Sequence, residues 1–272
     1  MNPIICIVGP TASGKTALAV ELAKEYNGEV VSCDSMQVYK RMDIGTAKPT
    51  LEEMQGIPHH MIDVAEPWED FSVSRYCDMA APIVDDILSR GKTAVIAGGT
   101  GLYMDSLIRG NAFAPFPATG VRERLEAQAD TVGMEAMLSQ LRSVDPDAAG
   151  RLHLSDRKRI LRALEVYRET GKTISAHNAE TRDLPPRYDA VWIGLQFRDR
   201  ADMKTLIDRR VDAMMAAGLP EETRRLRAAG VFDLCPTAAQ AIGYKELFPW
   251  LDGRATRAEA VEALKTATRR YA

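Results

Sequence analysis

A phosphate-binding motif near the start of the chain limits the folds that the sequence can adopt. Ile4 to Val8 form a short, wholly apolar run, and the octapeptide Gly9-Pro-Thr-Ala-Ser-Gly-Lys-Thr16 follows it directly. Apolar residues then recur at helical spacing from Lys15 to Tyr26. The octapeptide matches G-x-x-x-x-G-K-[ST], a motif that lies between a strand and a helix. The sequence therefore predicts a buried strand, a phosphate-binding loop and a helix.

The parts of this loop have separate expected roles. Backbone N–H groups from Ala12 to Thr16, together with the positive end of the helix, would hold phosphate oxygens. The Lys15 ammonium would balance the charge of those oxygens, and the Thr16 hydroxyl would reach Mg²⁺. The expected ligand therefore carries a diphosphate or a longer phosphate chain. The loop does not recognise the group attached to the phosphates, so that group stays open. An ordinary glycine turn is the alternative interpretation.

Three further strand-like segments extend the pattern. Glu29 to Cys33, Lys92 to Ala97 and Val191 to Leu195 are short and mainly apolar. Helical spacing appears over residues 72–90 and over most of the chain after Arg198. Alternation of strands and helices is typical of parallel sheets with right-handed crossovers. We therefore predict an α/β fold with a P-loop NTPase-like parallel sheet and helices on both faces.

Residues 114–186 differ in character from the rest of the chain. Ala114-Pro-Phe-Pro117 breaks regular structure, and Pro185-Pro186 precedes the last strand-like segment. The residues between these breaks contain helical stretches and no convincing strand. We therefore predict a mostly helical insertion domain over 114–186, inserted into a core of residues 1–113 and 187–272.

The charge of the chain is unevenly distributed. The formal net charge is −3, which by itself does not indicate a nucleic-acid-binding protein. Residues 1–120 hold 9 Lys/Arg and 15 Asp/Glu, whereas residues 121–272 hold 26 and 23. Residues 151–172 carry seven basic side chains against three acids, as contacts with nucleic-acid phosphates require. A solvated helix face is the alternative interpretation of this basic block.

Cysteine spacing and the N-terminal sequence indicate a cellular compartment. The four cysteines form no C-x-x-C pair and predict neither a disulfide framework nor a zinc site. They are Cys6, Cys33, Cys77 and Cys235. The first ten residues lack a basic region and contain only five consecutive apolar residues, too few for a signal peptide or a membrane span. We therefore expect a cytoplasmic protein with no membrane attachment.

Asp34 is the best-placed acid at the end of a predicted strand. A nucleotide hydrolase normally has an apolar strand that ends in a metal-binding Asp, but the later strands run into glycines or into Gln196. Asp34 would hold a metal or activate a hydroxyl in a small-molecule kinase, or act as a general base in another transferase. A helix cap or turn residue is the structural alternative. His59 and His60 with Asp63 lack zinc spacing, and we expect a structural role for them.

Five blocks of the sequence resemble the tRNA dimethylallyltransferase (IPP transferase) family, in that family's order and over nearly the whole chain. The blocks are Cys33–Pro49 (CDSMQVYKRMDIGTAKP), His59–Asp63 (HHMID), Gly98–Tyr103 (GGTGLY), Arg162–Val166 (RALEV) and Ala241–Tyr244 (AIGY). The resemblance implies transfer of a dimethylallyl group from its diphosphate to N6 of adenosine 37 of tRNA, giving N6-(dimethylallyl)adenosine. It also implies that the inserted helical domain binds tRNA.

The resemblance implies specific roles at the reaction centre. Asp34 would be the general base, and Thr100 a contact at the reacting groups. The implied donor diphosphate residues are Gly9, Pro10, Thr11, Ala12, Ser13, Gly14, Lys15, Thr16 and Arg210. Mg²⁺, reached by Thr16, would bridge the diphosphate, and no nucleoside triphosphate would be hydrolysed. Without the resemblance, Arg209 and Arg210 predict a solvated helix face.

Contacts with tRNA are implied for a larger set of residues. The Gln37 amide has the paired donor and acceptor that can recognise a base edge. The implied tRNA-binding residues are Asp34, Ser35, Met36, Gln37, Thr100, Arg122, Arg157, Lys158, Arg159, Ile160, Leu161, Gln240, Gly243, Tyr244 and Lys245. No obligate protein partner is evident from the sequence. The alternatives are a prenyltransferase for free adenine nucleotides, a small-molecule kinase and a non-catalytic phosphate-binding module.

Overall fold

The computed structural model of the chain describes residues 4–111, 119–182 and 185–272. The chain divides into two compact units. Met1–Gly110 and Arg187–Ala272 form one, which we call the core unit, and Asn111–Pro186 form the other, the inserted unit. The predicted break at Ala114–Pro117 lies outside the described residues.

A five-stranded parallel sheet forms the centre of the core unit. The strands are β1 (Ile4–Val8), β2 (Gly28–Ser32), β3 (His59–His60), β4 (Thr93–Ala97) and β5 (Ala190–Gly194). Their order is β3-β2-β4-β1-β5. The predicted parallel α/β sheet is therefore confirmed. The two-residue strand β3 was not predicted, because two residues are too few to show a period.

Thirteen α-helices accompany these strands among the described residues. In the core unit they are α1 (Lys15–Glu25), α2 (Leu51–Met54), α3 (Val73–Ser89) and α4 (Gly101–Arg109); in the inserted unit, α5 (Val121–Val144), α6 (Pro146–Ala149), α7 (Arg157–Thr170) and α8 (Ile174–Arg182); and again in the core unit, α9 (Arg200–Ala216), α10 (Leu219–Ala228), α11 (Val231–Leu234), α12 (Phe248–Leu251) and α13 (Arg257–Tyr271). Within the described residues, no helix combines the length and apolar composition that crossing a membrane requires.

Helices cover both faces of the sheet because of the strand order. The chain moves from β1 to β2 in one direction across the sheet, and from β3 to β4 in the other. Right-handed crossovers therefore place α1 and α3 on opposite faces. The α1 face is sealed by an apolar cluster that includes Ile5, Ile7, Ala19, Ala23 and Val95. Most of the side chains of β1, β2 and β4 are buried, as expected for strands covered on both sides.

The inserted unit has an apolar core of its own. Helices α5 and α7 pack together through buried residues that include Leu125, Met137, Leu141, Ile160 and Leu164. No strand occurs among the described residues of this unit, 119–182. A separate core of this kind stabilises a helical unit without help from the sheet.

A buried acid joins three basic side chains near the beginning of β2. Glu29 is buried, and its carboxylate accepts hydrogen bonds from Arg90 Nη2 (2.9 Å), Lys92 Nζ (2.7 Å) and His60 Nε2 (2.8 Å). The bonds from Arg90 make the largest contribution and hold the pKa of the Glu29 carboxyl well below its usual range, while burial opposes them. His60 therefore has the structural role that its spacing predicted.

We predict that Glu29→Gln lowers the free energy of unfolding by about 2 kcal/mol at pH 7, because hydrogen bonds to a buried charge are removed. Since the folded-state pKa is lowered, the contribution of Glu29 is present above the ordinary glutamate pKa of about 4.3 and is lost as pH falls through the folded-state value. Urea unfolding at pH 7 and at pH 3 measures both effects.

Glu21→Gln is the matched control for this measurement. Its carboxylate is exposed and pairs with Lys24 on the surface of α1, so its removal should change the free energy of unfolding by less than about 0.5 kcal/mol. Equal effects of the two substitutions at pH 7 would contradict a stabilising role for the Glu29 network.

Candidate active site

The phosphate loop connects β1 to α1 as the motif predicts. Gly14 has a left-handed backbone (φ +86°) at the N-cap of α1, where a side chain would be strained. The Lys15 ammonium lies across the loop and donates to the carbonyls of Gly9 (2.9 Å) and Pro10 (2.7 Å). Burial lowers the pKa of Lys15, and the neighbouring charge of Arg210 lowers it further. The loop thus holds a desolvated cation beside the positive end of a helix.

Arg210 adds a second cation to this loop. It lies on α9, and its Nη1 donates to Thr11 Oγ1 at 3.2 Å. Burial also lowers the pKa of Arg210, and nearby Glu53 and Asp34 oppose that effect. Two partly desolvated cations and a helix N-terminus at one place favour a multiply charged anion. The structure therefore brings Arg210 to the phosphate loop, as the family resemblance implied.

The loops after β2 and β4 meet at the same edge of the sheet. Thr100 N donates to Cys33 O (3.1 Å), and Ser35 N donates to Thr100 Oγ1 (2.9 Å). A Cβ on Gly98 would overlap the carbonyl of Cys33, so the two backbones approach too closely for any side chain. Thr100 occupies the N-cap position of α4, but its hydroxyl bonds to the Ser35 loop and makes no cap.

Asp34 lies at this junction and is partly held by the backbone. Its Oδ1 accepts hydrogen bonds from the N–H groups of Met36 (2.9 Å) and Gln37 (3.3 Å). Burial raises the pKa of Asp34, and these two N–H groups and the charges of Lys15 and Arg210 only partly oppose it. A carboxylate with a raised pKa binds a proton more strongly than an ordinary aspartate does.

A cavity of about 1030 Å³ contains these groups. The residues predicted for the donor diphosphate all line it, and so do Asp34, Ser35, Met36, Gln37, Gln240 and Gly243. Thr100 does not line the cavity, but its hydroxyl is bonded to Ser35, which does. The sequence analysis missed the apolar and aromatic wall that α9 and α13 contribute. This wall includes Leu206, Met214, Leu264 and Tyr271, which showed only ordinary helical spacing.

The Gln37 amide is less available than the sequence predicted. Its Nε2 donates to the carbonyls of Thr46 (3.3 Å) and Ala47 (3.1 Å), and its Oε1 accepts from Ser32 Oγ (3.0 Å). An amide has two N–H donors and two lone pairs. One lone pair of Oε1 is therefore the only part of the amide that can still form a hydrogen bond. The amide was predicted to offer a donor and an acceptor to a base edge, and in the structure it offers an acceptor alone.

Three residues predicted to contact tRNA have buried side chains. Tyr244 is completely buried in the core unit, where its hydroxyl donates to Glu222 Oε1 at 2.9 Å. Ile160 and Leu161 lie in the apolar core of the inserted unit. These side chains contribute to packing and are not exposed to RNA, and tRNA contact at these positions stays a prediction. Lys245 is exposed, next to Tyr244 in the sequence, and does not line the cavity.

The basic residues of the inserted unit lie on and near α7 and α5. Arg157 pairs with Asp130 (2.6 Å), while Lys158 is exposed and Arg159 is 76% exposed, with Asp156 at 3.8 Å. Arg122 on α5 contacts Glu165 at 3.3 Å. Lys158 and Arg159 are therefore the more available cations of the basic block.

Histidine and acidic side chains supply no preformed metal cluster. Among the residues that the structure describes, no three His, Cys, Asp or Glu side chains form a group suited to a metal ion. His59 Nδ1 is bonded to Ile57 O (2.9 Å), and His60 belongs to the Glu29 network.

Comparisons with known proteins show which family the chain is similar to. The family model described as IPP transferase matches residues 37–272. A tRNA dimethylallyltransferase of Thermoanaerobacter sp. (strain X514) is 49% identical over 271 residues, which cover 99% of this chain and 86% of the relative. A tRNA dimethylallyltransferase of Acetivibrio thermocellus is 46% identical, with coverage of 100% and 87%.

Two solved structures are similar over the whole chain. The tRNA isopentenylpyrophosphate transferase of Bacillus halodurans is 43% identical, with a TM-score of 0.71, and the match covers 100% of this chain and 84% of that one. A eukaryotic dimethylallyltransferase that acts on tRNA is 30% identical, with a TM-score of 0.85 and coverage of 100% and 68%.

Proposed function

The chain belongs to the IPP transferase family, and from that membership we propose that it transfers a dimethylallyl group from dimethylallyl diphosphate to N6 of adenosine 37 in tRNA. The products are N6-(dimethylallyl)adenosine and diphosphate. The observation that carries the proposal is that the phosphate loop and Asp34 line one cavity. A donor held by its diphosphate in that loop would present its allylic carbon on the side of Asp34.

The phosphate loop would stabilise the leaving group. As the allylic C–O bond breaks, negative charge grows on the diphosphate, and cations already in place lower the energy of that transition state. Lys15, Arg210 and the N–H groups at the start of α1 provide this charge. Ser13 supports the assignment, because its Oγ is buried and has no hydrogen-bond partner among the described residues. A phosphate oxygen would satisfy that hydroxyl.

Mg²⁺ is the proposed cofactor. The Thr16 hydroxyl lines the cavity, and a hard oxygen ligand of this kind suits Mg²⁺ when substrate phosphates and water complete its shell. Thr16 is the residue that we expect to hold the ion. When bound, the ion would supply additional positive charge to the diphosphate.

Asp34 is the proposed general base. The adenine N6 forms a bond to the allylic carbon and must lose a proton, which a carboxylate within hydrogen-bond distance can accept. Backbone N–H groups occupy Oδ1, and among the described residues none donates a hydrogen bond to Oδ2. Oδ2 is therefore the oxygen proposed to take the proton. Thr100 is hydrogen-bonded to Ser35, the residue next to Asp34. We propose that Thr100 also contacts the adenine that is prenylated.

Contacts with tRNA are proposed on both units. In the core unit, Ser35, Met36, Gln240 and Gly243 line the cavity that adenine 37 would enter after leaving the anticodon stack. In the inserted unit, the exposed basic side chains of α7 would contact phosphates. We propose the cytoplasm as the place of action, because all four cysteines are free thiols, as is usual in a reducing compartment.

A prenylation assay tests this proposal. The protein with Mg²⁺ and dimethylallyl diphosphate is incubated with unmodified tRNA or with AMP, followed by nucleoside analysis of position 37. We expect prenylated tRNA and no prenylated AMP. Prenylation of AMP alone would favour the enzyme for free nucleotides, and ATP consumption without prenyl transfer would favour a kinase.

We predict that Asp34→Asn lowers kcat by about 10²- to 10⁴-fold, the usual contribution of a general base. Binding of dimethylallyl diphosphate, measured by calorimetry, should stay within about twofold, because the phosphate loop is unchanged. Since burial raises the pKa of Asp34, wild-type kcat should fall as pH decreases toward that pKa, above the ordinary value of about 3.9.

Asp78→Asn is the control for Asp34→Asn. Asp78 is exposed on α3, where its partner is Ser74 at 3.5 Å. Its substitution should leave kcat and the pH profile unchanged. Full turnover by Asp34→Asn would show that Asp34 is not the general base, but it would not contradict the proposed reaction.

We predict that replacing Arg157, Lys158 and Arg159 with alanine weakens tRNA binding and reduces its salt dependence. For every phosphate that the variant no longer neutralises, the slope of log Kd against log salt concentration should decrease by about one. Lys24→Ala is the control, because this exposed lysine lies at the end of α1 away from the phosphate loop. An unchanged slope for the triple variant would contradict a tRNA-binding role for this block.

A further inference from the structure

One wall of the cavity is a loop, residues 42–49, which we call the pocket loop. Four of its residues line the cavity: Gly45, Thr46, Ala47 and Pro49. The loop contains no helix or strand, so side-chain contacts rather than a regular backbone pattern hold its conformation. Three backbone N–H groups of the loop are bound by Glu222 on α10, a residue that the sequence analysis did not select.

Glu222 binds the backbone of the pocket loop from inside the protein. The residue is 1% exposed, and its carboxylate accepts hydrogen bonds from the N–H groups of Asp43 (3.1 Å), Ile44 (3.0 Å) and Gly45 (3.0 Å). Tyr244 Oη donates a fourth hydrogen bond at 2.9 Å. A buried carboxylate requires such partners, and three consecutive N–H groups fix the path of the loop.

Two further contacts restrict the loop. Lys48 is almost completely buried, and its Nζ donates to Asp43 Oδ1 (2.6 Å), Asp63 Oδ1 (2.6 Å) and the carbonyl of Tyr39 (2.7 Å). The Tyr244 ring occupies the space that a Cβ on Gly45 would need. The pocket loop is therefore held by its N–H groups and by its own lysine.

The pocket loop in turn holds the amide of Gln37. The carbonyls of Thr46 and Ala47 accept both N–H groups of that amide, and Ser32 Oγ donates to its oxygen. A rotation of the amide by 180° would place its oxygen against two carbonyls and its NH₂ against the Ser32 hydroxyl. The carbonyls of the loop thus determine which atom of Gln37 stays available.

We propose that Glu222, together with Tyr244, is a positioning residue for the acceptor base. It acts through the pocket loop, whose carbonyls orient the Gln37 amide so that Oε1 is offered to a donor. The 6-amino group of adenine is such a donor, whereas the 6-oxo group of guanine or hypoxanthine is an acceptor. This inference rests on the proposed function, because it assumes that adenine enters the cavity.

Tyr244→Phe is the variant that tests the proposal, since it removes one hydrogen bond of the anchor and keeps the buried ring. We expect kcat/KM for tRNA to fall about tenfold, as for the loss of one bond to a charged group. KM for dimethylallyl diphosphate should stay within about twofold. Glu222→Gln should lower kcat/KM for tRNA further and again leave KM for dimethylallyl diphosphate within about twofold. If that variant does not fold, Tyr244→Phe alone decides the test.

A double-mutant cycle separates positioning from general destabilisation. In a Gln37→Ala background, Tyr244→Phe should cause less than about a twofold further loss, because its effect passes through the missing amide. Tyr188→Phe is the control: it also removes a buried hydroxyl, bonded to Asp85 Oδ1 at 2.7 Å, and Tyr188 does not line the cavity. If Tyr244→Phe lowers kcat/KM by the same factor in the Gln37→Ala background as in the wild type, the proposal is overturned.

A spectroscopic measurement tests the anchor without any turnover. The side-chain NH₂ signals of Gln37, identified by their loss in Gln37→Ala, should exchange slowly with solvent in the wild type. They should exchange at least about tenfold faster in Tyr244→Phe and stay unchanged in Tyr188→Phe. Equal exchange in all three proteins would overturn the proposal even if tRNA is prenylated. Absence of prenylation by the wild type would instead overturn the proposed function.

Discussion

The close approach of Cys33 and Gly98 is the constraint on which the candidate site depends. Glycine at position 98 has no side chain to separate the two backbones, so the loops after β2 and β4 share hydrogen bonds from their first residues. Asp34 and Thr100 therefore lie close together although they are 66 residues apart in the sequence. The sheet register supports this, since Val31, Ile96, Cys6 and Trp192 form one row across four strands. Each loop starts just beyond that row, so the phosphate loop opens at the same edge.

Much of this arrangement could be predicted from the sequence. Four of the five strands are short apolar runs, and three end at a recognisable glycine or acid, so their common edge follows from parallel pairing. Helix α4 was not predicted either, and two further elements of the core unit were missed because they are short. Strand β3 and helix α2 contain two and four residues, too few for a periodic pattern. The only local signal of α2 was its capping box, formed by Thr50 and Glu53.

The buried polar contacts could not be predicted in the same way. Glu222 is followed by three arginines within five positions, a pattern typical of a solvated helix, and yet it is one of the most buried acids described. Its backbone partners in the pocket loop lie about 180 residues away along the chain, so no local spacing reveals them. The same limit explains why the hydrogen-bond partners of Gln37 and Tyr244 could not be predicted. Their types suit RNA recognition, but tertiary neighbours occupy their polar atoms.

Strand β5 follows the inserted unit in the sequence but pairs with β1 in the sheet, so the sheet is completed only after the inserted unit has been synthesised. Until residues 190–194 leave the ribosome, β1 has β4 on one side and an open backbone edge on the other. The inserted unit has its own apolar core and can fold during that interval. A chain interrupted before residue 190 would therefore contain a folded insertion and a phosphate loop whose supporting strand is free to pair with other chains, a recognised cause of aggregation.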